Sequence, residues 1–92
     1  MINFIYNFDG REALKYGVAE SIMLYNLRFW ILKNKANNRH QYPGQDGIIR
    51  TWTYNSTEAF CKLFIFWSED QIDRLIKKMI VNQFIITGNF NQ

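Results

Sequence analysis

The sequence predicts a mostly α-helical domain with a small β-sheet. Three observations carry that expectation. Apolar residues recur at i, i+3, i+4 spacing over 18–35 and again after Ser68. A run of Thr, Trp, Tyr and Ile spans 48–54. A single stretch, Asn37 to Gly47, holds the only proline and two of the five glycines, so it reads as a loop. The chain has 92 residues, 48% hydrophobic and 17% aromatic, which is enough material for one core and too little for two.

Each element has its own local signal. Asp9 is an N-cap for the short helix GREALKY, which Gly17 stops or bends. Val18 to about Lys35 follows as a long helix with Ala19, Ile22, Met23, Leu27 and Trp30 as its stripe. Leu24, Phe29 and Leu32 widen the apolar surface, so this helix is expected to be buried on two sides. A strand is expected over Ile48 to Tyr54. Ser56 or Asn55 caps STEAFCKLF, whose inner face is Ala59, Phe60 and Leu63. Ser68, with Gln71 as its capping-box partner, opens a last helix whose stripe is Ile72, Leu75, Ile76, Met79 and Ile80. Its acids lie early and Lys77 and Lys78 lie late, matching the helix dipole. Phe84 to Thr87 is expected as a short strand that pairs with 48–54, and Gly88–Asn89 as a turn. Helix, helix, strand, helix, helix, strand, turn is the order of a winged helix-turn-helix with a curtailed wing.

Composition removes several function classes. One cysteine leaves no disulfide framework and no cysteine zinc site, and the lone His40 lies in a polar loop, so neither metal nor cofactor is expected. Cys61 reads as a small buried hydrophobe, and Trp30, Trp52 and Trp67 as core residues. No apolar run approaches ~18 residues and the N-terminus lacks a basic leader, so a cytoplasmic protein without a membrane anchor is expected. No nucleophile–base pair or phosphate-cradling glycine loop is present, so no enzyme is expected. Eleven basic against eight acidic side chains give +3, which suits a nucleic-acid partner without requiring one.

The run TWTYNSTEAFCKLFIFWSEDQIDRLIKKMIVNQFIITGNFN, with AESIMLYNLRFWI upstream, resembles the winged-helix domain of phage and prophage replication initiator, or replisome-organiser, proteins. The similarity is carried by Trp52, Tyr54, Asn55, Ser56, Phe66, Trp67, Ser68, Ile72, Ile76, Lys77, Lys78, Ile85, Gly88 and Asn89, and covers about Val18 to Asn91. It implies double-stranded DNA as partner and a bacterial host cell as the setting. Gln71 would reach a base edge, Arg74, Lys77 and Lys78 would hold phosphate, Ser56 and Thr57 would offer helix-start amides, and Asn89 would lie near the turn. The chain departs from the pattern in three ways. The wing lacks its returning strand, the last helix opens with the acidic SEDQID, and Asn82–Gln83 replaces Lys-Gly, with Asn82 expected as a left-handed cap.

An alternative basic patch is Arg28, Lys33, Lys35 and Arg39, where no acid intervenes. The outward set of the last helix balances three acids against three bases. A second function therefore stands beside DNA binding. In it the chain is a non-enzymatic phage inhibitor or adaptor, for example an antagonist of a host defence such as a CRISPR effector, that binds a host protein complex. Phe4, Tyr6 and Phe8 alternate and could cover a sheet edge or form a homodimer contact.

Overall fold

A computed structural model describes residues 4–88. Its elements are α1 (Gly10–Tyr16), α2 (Val18–Ala36), β1 (Gln41–Pro43), β2 (Ile49–Thr51), α3 (Thr57–Leu63) and α4 (Glu69–Val81). The protein is thus mostly helical with one two-stranded antiparallel sheet.

The helix boundaries follow local chemistry. Asp9 accepts from the backbone N–H groups of Arg11 and Glu12 and starts α1. Gly17 separates α1 from α2 at φ 109°, a conformation that disfavours any residue with a Cβ. Both long helices end in a Schellman motif. After α2, Asn38 takes a positive φ while Arg39 N–H reaches back to the Asn34 carbonyl at 2.8 Å. After α4, Gln83 takes φ 62° while Phe84 N–H reaches the Met79 carbonyl at 2.8 Å. The left-handed residue is therefore Gln83 and not the expected Asn82, whose φ is −83°.

Met23 and Leu24 of α2, Phe60 of α3, Phe64 in the turn, and Ile72, Leu75 and Met79 of α4 form the buried core. Burying each such side chain contributes about 1.5–3 kcal/mol. Phe64 sits at the centre of an aromatic cluster, with Tyr6, Phe60 and Trp67 rings 5.0–6.2 Å away. Tyr6 anchors the N-terminal segment further by donating its hydroxyl to the Leu63 carbonyl at 2.7 Å. Phe4 and Phe8 remain exposed, and residues 4–8 form no strand.

Four expectations need correction. The partner of β2 is Gln41–Pro43, inside the stretch read as loop, in the register Gln41↔Thr51, Tyr42↔Arg50, Pro43↔Ile49. Residues 84–87 form no strand, because the Schellman turn swings Phe84 back onto the core and against Tyr16, 4.4 Å between ring centroids. The strand at 48–54 shrinks to three residues, 49–51, the ones in register with Gln41–Pro43. Finally, α2 is covered on one side only, with Tyr25, Phe29 and Leu32 exposed while Glu20 and Ser21 are buried. Smaller departures are Ala59 and Ile80, which are exposed, and Cys61, Trp30, Trp52 and Trp67, which are half-buried. No helix of the described residues is long and apolar enough to cross a membrane.

Candidate nucleic-acid interface

The turn between α3 and α4 places α4 with Ile72, Leu75 and Met79 inward and its polar face outward. Ser68 fixes the start of α4 through a capping box. Its Oγ accepts from the Gln71 N–H at 3.2 Å, and its own N–H donates to Gln71 Oε1 at 2.8 Å. Gln71 is therefore held in the cap and keeps only its Nε2 group for a ligand. This limits the base-reading role expected of it.

The cations on α4 separate into two kinds. Lys78 lies 2.5 Å from Oε2 of the buried Glu20, so its charge is already neutralised. Lys77 is exposed and has no ion-pair partner among the described residues. Arg74 is exposed too, and its Nε donates only to the Asp70 carbonyl at 3.4 Å. Arg74 and Lys77 stand three residues apart, on the same outward surface.

At the start of α3, Ser56 is the cap, accepting from the Ala59 N–H at 3.1 Å. Thr57 donates its hydroxyl to Asp73 Oδ1 at 2.9 Å, which ties α3 to α4 and removes one of the acids from the free surface. Both side chains thus have structural partners. Asn89 lies outside the described residues.

The alternative patch is partly engaged as well. Arg28 pairs with Glu12 of α1, a hydrogen bond that holds the Glu12 carboxyl below its usual range and raises Arg28. Lys33 lies 5.0 Å over the Trp30 ring, a cation–π contact that leaves its charge available. Lys35 and Arg39 are exposed without an ion pair among the described residues. The accessible cations are then Arg74 and Lys77 on α4, and Lys33, Lys35 and Arg39 around the end of α2.

Sequence reasoning missed the Glu20–Lys78 pair, although an acid set in an apolar helix face was a usable signal. It also missed the hairpin clasp, in which Arg50 donates to both Asp46 carboxylate oxygens at 2.9 and 2.6 Å. A third feature is an open apolar groove of about 630 Å³ between α2, the hairpin and residues 84–88, walled by Leu27, Ile31, Tyr42, Trp52, Tyr54 and Phe84. Among the described residues no group of three or more His, Cys, Asp or Glu side chains could hold a metal. Comparison with protein-family models, curated proteins and solved structures returns no match.

Proposed function

We propose that the protein binds double-stranded DNA through α4, as a winged helix-turn-helix module of the kind found in phage replication initiators. The supporting observation is the pair Arg74 and Lys77, one turn apart and facing outward, on a helix held rigidly by its capping box and by the Thr57–Asp73 bond. Lys33, Lys35 and Arg39 add a second set of phosphate-holding charges at the end of α2. The small sheet before the helix-turn-helix takes the place of the first strand of such a fold. In this reading, affinity comes from phosphate contacts, and base selectivity from the few polar groups left free on α4.

Fluorescence anisotropy with duplex DNA over a salt series tests the reading. Binding falls steeply as salt rises, with a slope that reports several phosphate contacts. Lys77→Ala and Arg74→Ala each lower that slope by about one unit. Absence of binding to any duplex at low salt overturns the proposal.

The groove favours a second reading, that of a non-enzymatic inhibitor or adaptor that docks a host protein. Its aromatic walls fit an extended or helical segment of a partner. Tyr54 is exposed at its rim, so Tyr54→Ala leaves the fold intact and weakens capture of one stoichiometric host protein. Capture unaffected by Tyr54→Ala counts against this reading.

A further inference from the structure

Helix α2 carries an apolar stripe that the fold leaves largely uncovered, Ile22 alone of its six residues being half-buried against the core. Val18, Ile22, Tyr25, Phe29, Leu32 and Ala36 are spaced 4-3-4-3-4 along it, the heptad spacing that sets all six on one face. Val18, Tyr25, Phe29 and Leu32 are 48–66% exposed, whereas Met23 and Leu24 on the other side are buried. Scattered exposed apolar side chains are ordinary. A continuous stripe along a 19-residue helix, about 28 Å long at 1.5 Å per residue, is an interaction surface.

The spacing also suits a second copy of the same helix. It reads the same from either end, about residue 27. An antiparallel copy sets Val18 opposite the second copy's Ala36, Ile22 opposite its Leu32, and Tyr25 opposite its Phe29. That is an isologous contact of the kind a two-fold axis requires. We propose that the protein is a homodimer through antiparallel packing of α2 on α2, a proposal independent of the DNA reading.

Charge selects the direction. Lys33, Lys35 and Arg39 all lie toward one end of α2. A parallel pair would gather six cations at one end, whereas the antiparallel pair separates them and opposes the helix dipoles favourably. Area agrees as well. Phe4, Ile5, Val18, Tyr25, Phe29 and Leu32 are each about half exposed or more, which leaves an apolar patch on the order of 600 Å² on one copy. Two copies then bury about 1,200 Å², the lower bound for a stable specific interface. Phe4, Ile5, Ile22, Tyr25 and Phe29 line an open groove of about 160 Å³ beside the stripe, a hole for a side chain of the second copy.

Sedimentation velocity on the full chain, up to about 100 µM, tests the proposal. The expected result is a particle of twice the chain mass. Phe29→Lys with Leu32→Glu gives a monomer with an unchanged far-UV circular dichroism spectrum, since both side chains are exposed. If that variant loses helix signal, Leu32→Gln carries the test, and weakens the dimer at least about tenfold. Orientation is read in a Cys61→Ser background. Mixed Tyr25→Cys and Phe29→Cys chains cross-link on oxidation, while neither alone does so efficiently. A monomeric parent chain, a dimer untouched by the folded variants, or efficient self-cross-linking of Tyr25→Cys overturns the proposal.

Discussion

Lys78 Nζ on α4 lies 2.5 Å from Oε2 of Glu20 on α2, and Glu20 is only 4% exposed. The pair joins the first long helix to the last. Lys78 itself is half in solvent, so the bond lies between the surface and buried regimes. Removing the lysine alone leaves a buried carboxylate without its counterion. Lys78→Ala is expected to destabilise the fold by about 2 kcal/mol, read as a lower urea midpoint at constant m-value. Glu20→Gln combined with Lys78→Met recovers part of that loss. For DNA binding, Lys78→Ala changes the salt slope less than Lys77→Ala does, because only Lys77 carries an unneutralised charge.

Gly17 sits at the junction of α1 and α2, where the Glu20 carboxylate closes over it. An added Cβ collides with that carboxylate, and φ 109° is strained for any other residue. Gly17→Ala is therefore expected to cost about 2 kcal/mol or more. Gly10→Ala is the control. A Cβ there meets nothing within 4 Å, and its effect stays within about 0.5 kcal/mol. Thermal denaturation of the two variants separates them.

Gln83 holds the left-handed position of a Schellman motif that glycine fills without strain. Gln83→Gly keeps both capping bonds and relieves the backbone. A gain of about 1 kcal/mol is expected, which raises Tm by about 4–8 °C in a domain this size. An unchanged or lower Tm rules this account out.

Asp46 responds to pH. The Arg50 guanidinium, and then the Ile48 N–H, hold its carboxyl down to about 2, from an ordinary value of 3.8. A carboxyl whose folded pKa is depressed adds stability that is fully present above the unfolded value. That contribution fades as pH falls through the folded value. The hairpin therefore keeps its clasp at neutral pH and loses it progressively between about pH 4 and 2. The Asp46 carboxyl carbon shift, followed by NMR, should titrate near 2. In Asp46→Asn, the Trp52 indole signal loses its acid transition.

The sequence made some features legible because they are local. Asp9, Ser56 and the Ser68–Gln71 box cap helices within three or four residues of themselves. The stripe of α4 was legible because one side is plainly polar. In α2 the stripe Ala19, Ile22, Met23 and Leu27 was legible and faces the core, but its further apolar residues Phe29 and Leu32 do not tell a second buried side from an exposed one. The partner of β2 was hidden for a different reason. Three residues ending in proline carry no strand pattern, and the Asp46–Arg50 clasp that aligns them is a side-chain contact. At the site, Lys77 and Lys78 are adjacent and chemically identical. Only the tertiary position of Glu20 makes one a structural cation and leaves the other free.

Pro43 has one more consequence. The backbone bonds from Gly44 to Ile48 and from Trp52 to His40 alternate with residues whose polar groups turn away from the hairpin. Pro43 is among those outward residues, and it has no N–H to offer. The outer side of β1 is thus blunted against strand addition, whereas the outer side of β2 keeps the donors of Ile49 and Thr51. An added strand would thus find two outward N–H donors beside β2 but only that of Gln41 beside β1.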